Sequence, residues 1–172
     1  MRELPLFLAV GAVTIAAAVA DLRDRRIPDV LTLPIVVAAP LVRGFFDGAP
    51  GVIAATGGVV LTALAPALLW RAKAMGAGDV KLAAAIGGLA GVTLGVEIVV
   101  AALFFVCVHA IGVALVRGEL RGLLSDGWLA ARLAIRRSKD AAGAAPREWR
   151  ALPFAPYVAG STLLTFALEA LD

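Results

Sequence analysis

Six apolar runs, separated by short polar segments, restrict what this chain can fold into. The runs cover residues 4–20, 30–46, 52–70, 80–90, 96–116 and 153–171. A membrane-spanning helix needs about 20 predominantly apolar residues, and most of these runs approach that length. Hydrophobic residues make up 61% of the 172 residues and charged residues 17%, against roughly 45–50% and 25% in soluble domains. The sequence therefore predicts an all-α polytopic membrane bundle of about six helices, forming one domain over residues 1–172, and excludes an ordinary soluble enzyme.

The distribution of basic residues predicts the orientation of the bundle. All but two of the 16 Lys and Arg residues lie in or beside the segments that join runs one and two, three and four, and five and six. The exceptions are Arg2 and Arg43. Basic loops face the cytoplasm, so we expect a multi-pass protein of the inner membrane with both termini outside. The net charge of +3 is then explained by topology, and we expect membrane lipid rather than nucleic acid as a partner.

The polar segment before the last run has an amphipathic pattern. Its apolar side chains fall on one helical face and its basic side chains on the other. The apolar set is Leu120, Leu123, Leu124, Trp128, Ala131 and Ile135. This pattern suits a helix lying in the membrane interface or a solvated cytoplasmic helix, and the residues leave both interpretations open.

Two acidic residues lie at junctions between an apolar run and a cytoplasmic segment. Asp21 ends the first run, and Asp79 precedes the fourth. Two carboxylates at one depth on neighbouring helices can share a proton, which is the arrangement that aspartic proteases use to activate water. Each residue also has a structural interpretation. Asp21 could be a helix-end residue paired with Arg25, and Asp79 could cap the N-terminus of its helix.

The residues around Asp79 suggest how a peptide could reach it. Gly76 and Gly78 permit positive φ angles and close backbone approach, so we expect a flexible, open loop that receives an extended peptide. Lys81 could stabilise the charge of Asp79, bind a lipid phosphate or act as an interfacial anchor. The single cysteine and single histidine, Cys107 and His109, have no partners spaced for a metal site, so we expect neither metal nor cofactor.

Three motifs resemble one family of membrane proteases. Residues 76–79, Gly-Ala-Gly-Asp, resemble the GxGD signature of intramembrane aspartyl proteases, and the following Val-Lys-Leu resembles its prepilin-peptidase version. Residues 21–29, DLRDRRIPD, resemble that family's aspartate at a helix end, followed by a basic stretch and an Ile-Pro or Leu-Pro pair. Residues 152–157, LPFAPY, resemble the Pro-Phe-x-Pro that opens the family's last helix. The three matches occur in the family's order and cover most of the chain.

The resemblance implies a type IV prepilin peptidase, which cuts the basic leader from pilin-like precursors at the cytoplasmic membrane face. It implies that Asp21 and Asp79 are catalytic. Asp24 competes with Asp21 for the first role, but the spacing from Pro28 favours Asp21. The acidic Asp24, Asp29 and Asp126 would then meet the basic leader, while the apolar helix of the precursor lies among the enzyme's helices.

The chain departs from the larger bacterial members of this family. Those carry an N-terminal cytoplasmic domain, often with paired cysteines, that is associated with N-methylation. This sequence opens on its first apolar run and contains one cysteine. It resembles the compact peptidases of tight-adherence pili or archaeal preflagellins, which predicts cleavage without methylation.

Two further functions are compatible with the composition. A small transporter could use Asp21 and Asp79 as coupling sites, although carriers usually show internal repeats and midplane sites. A non-catalytic membrane protein of pilus assembly would need neither aspartate.

Overall fold

The computed structural model describes residues 4–72, 74–119, 121, 122, 125, 128 and 153–169. Helices account for most of them, and this part of the chain contains no β-strand. The main helices are α1 (Leu4–Asp24), α2 (Asp29–Arg71), α3 (Ala77–Ala90), α4 (Val92–Arg117) and α5 (Ala155–Glu169). The all-α class is therefore confirmed. The amphipathic helix predicted over residues 120–135 lies largely outside the described residues.

Helix α2 is a hairpin that reverses at Gly48. This residue has φ 67° and ψ −150°, a left-handed conformation that favours glycine. Residues 29–47 run parallel to α3, since Asp29 bonds Lys81 near its start and Ala39 packs on Gly88 near its end. Residues 49–71 run antiparallel to α3, because Thr62 donates to the carbonyl of Ala83. The second and third apolar runs are thus both helical, as predicted, and a single non-helical residue separates them.

The junction between α3 and α4 is equally short. Gly91 has φ 84° and ψ −171°, and helix resumes at Val92, so a single residue separates the two helices. The Nε and Nη2 atoms of Arg43 donate to the carbonyl oxygen of Leu89 at 3.1 and 2.8 Å. These bonds satisfy a carbonyl at the end of α3 that has no partner within the helix. Gly48 and Gly91 therefore lie at one end of the bundle, with Arg43 beside them.

Helix α3 is the centre of the bundle. Its residues 82–88 are all buried, which small side chains make possible. Both halves of α2, α4 and α1 pack around it. Gly58 of α2 and Gly87 of α3 are in such close contact that a Cβ on either would overlap the other's carbonyl oxygen. Such small-residue contacts are typical of helix packing in membranes.

Helix α5 closes the bundle by packing between α1 and α4. The rings of Phe7 and Phe166 join α1 to α5 with centroids 4.7 Å apart, and the Ser161 hydroxyl donates to the Ile98 carbonyl at 3.0 Å. His109 contacts the ring of Tyr157 edge-on, with centroids 5.7 Å apart. This ring contact joins α4 to α5.

The outer surface of the bundle is apolar. Phe45, Phe46 and Val116 are each exposed over more than two thirds of their surface. In the described part of the chain, α2 and α4 are long and apolar enough to cross a membrane. The six-span topology stays a prediction.

Candidate active site

A cavity of about 490 Å³ opens at the end of the bundle opposite Gly48 and Gly91. Four junctions surround it: the end of α1, the start of α2, the segment from the end of α2 to the start of α3, and the start of α5. The lining residues are Asp21, Arg25, Arg26, Ile27, Asp29, Trp70, Ala74, Met75, Gly76, Ala77, Gly78, Asp79, Lys81, Val106, Pro153 and Phe154. Both predicted catalytic aspartates are therefore in one cavity.

Asp21 lies in the last turn of α1 and is 7% exposed. Its Oδ2 atom accepts a hydrogen bond of 3.1 Å from the backbone N–H of Ala155, the first residue of α5. A carboxylate at a helix N-terminus is stabilised by the free N–H groups there. Burial nevertheless raises the pKa of Asp21 above its usual range, while the Ala155 N–H and the charge of Arg25 oppose that rise.

Asp79 is the third residue of α3. Its Oδ2 atom accepts a 3.1 Å hydrogen bond from the backbone N–H of Gly76, which is the N-cap residue of the helix. The prediction that Asp79 could itself be the N-cap is therefore wrong, since it reaches back from the first turn. The pKa of Asp79 is raised to about 6. Burial is the largest cause; the Gly76 hydrogen bond opposes the rise, and the charge of Asp21 contributes to it. Both aspartates lie outside the apolar runs, at the same end of the bundle.

The two aspartate motifs are in direct contact. A Cβ on Gly78 would lie 3.2 Å from Cβ of Ile27, a buried residue of the 21–29 motif. Gly78 belongs to α3, and Gly76 has a negative φ of −78°. The expectation of a flexible, open loop at Gly78 is thus wrong. Here the absence of a side chain on Gly78 allows the 25–29 segment to pack on the first turn of α3.

Of the remaining predicted site residues, Asp29 and Lys81 line the cavity. Lys81 Nζ forms an ion pair of 2.6 Å with Asp29 Oδ1, which joins α3 to α2. Pro28 is the N-cap residue of α2, with extended φ and ψ. Asp24 is exposed and does not line the cavity. The structure therefore separates Asp21 from Asp24, two residues that sequence position alone left as competitors.

The model of the type IV leader peptidase family matches residues 8–115. The chain belongs to the type IV leader peptidase family. No curated protein and no solved structure matches the chain. Membership in this family implies a peptidase, and the family is membrane-associated.

The match to the type IV leader peptidases includes both cavity aspartates and ends within α4. Helix α5 lies beyond it, yet α5 supplies the N–H that binds Asp21. Residues 153–155 received no role from the sequence, although the Pro-Phe-x-Pro resemblance drew attention to this segment. The motif marked this segment, but it could not identify the hydrogen bond to Asp21. The donor is a backbone N–H, which every residue except proline carries.

The cavity of this leader peptidase brings together carboxylates from different helices. Among the described residues, no group of three or more His, Cys, Asp and Glu side chains could hold a metal ion. Of the described carboxylates, Asp21, Asp29 and Asp79 line the cavity, and Asp29 is paired with Lys81. The arrangement is suited to acid–base chemistry on a bound amide.

Proposed function

We propose that this chain is an aspartyl endopeptidase that removes the leader from type IV pilin-like precursors at the cytoplasmic face of the inner membrane. The observation that carries the proposal is the placing of Asp21 and Asp79 in one cavity, close enough that the charge of Asp21 raises the pKa of Asp79. Two interacting carboxylates titrate as a pair and can hold one proton between them.

The two carboxylates take different roles because their surroundings differ. The Ala155 N–H and the Arg25 charge favour the ionised form of Asp21, which accepts a proton from water. Asp79, with a pKa of about 6, holds the shared proton and donates it to the scissile carbonyl oxygen as the water oxygen attacks the carbonyl carbon. Collapse of the resulting diol breaks the C–N bond. The leaving nitrogen takes the proton that Asp21 accepted. Asp79 recovers a proton from one hydroxyl of the diol, whose oxygen becomes the carbonyl oxygen of the new carboxyl group.

Two exposed carboxylates near the cavity are available to contact a basic leader. Asp24 and Asp29 are exposed at the same end of the bundle as the cavity. They can attract Lys and Arg side chains without occupying the position of the reacting amide. Asp126, the third acid expected to meet the leader, lies outside the described residues. The apolar segment that follows the leader would lie against the apolar surface of the helices.

Cleavage without methyl transfer is part of this proposal. The compact members that the chain resembles lack the paired cysteines of the larger bacterial enzymes, and these 172 residues contain only Cys107. Transfer of a labelled methyl group to a cleaved pilin by the purified protein would contradict this part of the proposal alone.

The test is co-expression with candidate precursors from the same genome, with leader loss scored by mass. We expect wild type to process one of them, and Asp21→Asn and Asp79→Asn to lower the rate by about a thousandfold or more, because an amide cannot exchange the required proton. Asp24→Asn is the matched control and should keep the rate within about tenfold, because Asp24 is outside the cavity. A folded Asp79→Asn protein that cleaves at the wild-type rate would exclude the proposed mechanism.

A further inference from the structure

A second pair of charged residues lies in the cavity wall beside the aspartates. Lys81 Nζ and Asp29 Oδ1 are 2.6 Å apart, and their side chains are 33% and 57% exposed. The pair connects the first residue of α2 with the beginning of α3. An ion pair with this exposure contributes little to folding stability, so its position beside two titrating carboxylates is its notable property.

Helix geometry explains why Lys81 bonds Asp29 and not Asp79. Residues two apart in a helix point to different sides, so Lys81 and Asp79 of α3 do not face each other. Lys81 instead faces the start of α2, where Asp29 lies. The lysine charge therefore lies in the same cavity wall as Asp79, but a carboxylate of another helix neutralises it.

The charges of the cavity wall balance. The carboxylates are Asp21 from α1, Asp29 from α2 and Asp79 from α3; the cations are Arg25 and Arg26 from the segment after α1, and Lys81 from α3. Helix α4 contributes Val106 and the start of α5 contributes Pro153 and Phe154, none of which is charged. Among the described residues, removing either member of the Asp29–Lys81 pair therefore leaves an uncompensated charge beside Asp21 and Asp79.

We propose that Asp29 and Lys81 are positioning residues that compensate each other's charge beside Asp21 and Asp79, so that losing either one alone shifts the pH at which the enzyme works. This inference rests on the proposed function for its catalytic consequence. Neutralising Asp29 leaves the Lys81 cation, which favours ionised carboxylates and moves the pH optimum down. Neutralising Lys81 leaves the Asp29 anion, which favours protonated carboxylates and moves the optimum up. Removing both charges restores the balance.

The test uses the full chain in detergent and compares the variants Asp29→Asn, Lys81→Met and the double variant. The pH–rate profile of leader cleavage is the first measurement. We expect the optimum to shift by about 0.5 pH unit or more, downward for Asp29→Asn and upward for Lys81→Met, and to return to the wild-type value in the double variant. Both shifts should shrink at high salt, because the pair is partly exposed.

Two control variants separate charge from structure. Lys81→Arg keeps the cation and should keep the wild-type optimum. Asp47→Asn removes an exposed carboxylate beside Gly48, at the opposite end of the bundle, and should leave the optimum unchanged. If the pair only ties α2 to α3, both single variants and the double variant lower the melting temperature without opposite shifts of the optimum. That result would overturn the inference. If Asp29→Asn does not fold, the presence or absence of an upward shift of the pH optimum in Lys81→Met decides the question.

A second measurement does not depend on cleavage. A hydrophobic carbodiimide modifies protonated carboxyl groups, and peptide mass mapping gives the midpoint pH of Asp79 labelling without substrate. We expect this midpoint to move in the same directions as the optimum. If wild type cleaves the precursor but the single variants label Asp79 with the same midpoint pH as wild type, this inference alone is defeated. Shifted midpoints in a protein that cleaves no precursor would defeat the proposed function and keep the electrostatic coupling.

Discussion

Asp21 and Asp79 are the same type of residue at the same end of the bundle, yet their hydrogen bonds differ in origin. Asp21 receives the N–H of Ala155 from a helix that follows 134 residues later, whereas Asp79 receives the N–H of Gly76 from its own helix terminus. Burial raises both pKa values, and the negative charge of Asp21 adds to the rise at Asp79. The proposed mechanism uses these different environments to assign Asp21 as the base and Asp79 as the acid.

The raised pKa of Asp79 has a cost in folding stability. The pKa is about 6 in the folded protein and 3.8 in the unfolded chain, so the native state binds more protons between these values. Stability therefore falls as the pH rises through this window, and the full cost is present above it. Asn cannot ionise, so we expect Asp79→Asn to be more stable than wild type by about 1–2 kcal/mol at about pH 7.5, and equally stable at about pH 4.

Thermal unfolding in detergent, followed by tryptophan fluorescence at both pH values, measures this difference. Asp47→Asn serves as the control because Asp47 is exposed and remote from the cavity. An Asp79→Asn protein that melts below wild type at the higher pH would show that the ionised carboxylate stabilises the fold.

At the scale of residues, a physical argument drew attention to both aspartates, and the family resemblance gave them their predicted catalytic role. A carboxylate at the end of an apolar run is costly unless it has a function or a partner, so it draws attention. The sequence did not predict that Lys81 pairs with Asp29, because these residues are 52 positions apart and only the packing of α2 on α3 brings them together. It also left Asp24 as a competitor of Asp21, since residues three apart in a helix lie on nearly the same face, about one turn apart.

At the scale of elements, apolar runs predicted where helices exist but not where they end. The charged Asp21–Asp24 segment continues α1 as helix, and α3 begins at Ala77 rather than at residue 80. Helical hydrogen bonds are local and continue through polar residues until a residue such as Gly48 or Gly91 takes a left-handed conformation. Polarity thus marks the membrane boundary, whereas backbone conformation marks the helix boundary.

The close packing of α2 on α3 predicts a strong dependence on two glycines. We expect Gly58→Ala and Gly87→Ala each to destabilise the protein by about 1–3 kcal/mol, because the added methyl group would overlap backbone atoms of the facing helix. Gly11→Ala is the matched control: no atom lies within 4 Å of a Cβ there, so it should be neutral or stabilising. Melting temperatures in detergent provide the measurement, and equal melting of all three variants would contradict this packing.

The contact between α1 and α5 can be tested by removing one hydrogen-bond donor. Ala155→Pro deletes the N–H that Asp21 accepts, at a first helical position where proline is tolerated. Losing a bond to the ionised form should raise the pKa of Asp21 further, so we expect the acidic limb of the pH–rate profile to move to higher pH and the maximal rate to fall by about tenfold or more.

Ala155→Val is the matched control for this variant, since it adds bulk at the same buried position and keeps the N–H. If proline and valine change the pH profile equally, bulk rather than the hydrogen bond is responsible.

At the scale of the whole molecule, one end of the bundle carries the chemistry and the other the chain reversals. The cavity lies where α1 ends and α5 begins, whereas Gly48, Gly91 and Arg43 lie at the opposite end. The positive-inside pattern predicts that the cavity end faces the cytoplasm.

Cysteine labelling tests this orientation. In a Cys107→Ala background we expect Asp47→Cys to react with a membrane-impermeant maleimide applied to intact spheroplasts. Glu119→Cys, just after α4, should react only after permeabilisation. Labelling of both positions from the same side would exclude six spans with both termini outside.

The hydrogen bond between Ala155 and Asp21 also has a consequence for the timing of biosynthesis. A nascent chain that has inserted α1 to α4 already carries both carboxylates, but it lacks the donor that holds Asp21. The acid–base pair is complete only when the last helix has reached the bundle. We therefore expect a partly synthesised chain to be unable to cut precursors that pass through the same membrane, so that activity begins only after the whole molecule has assembled.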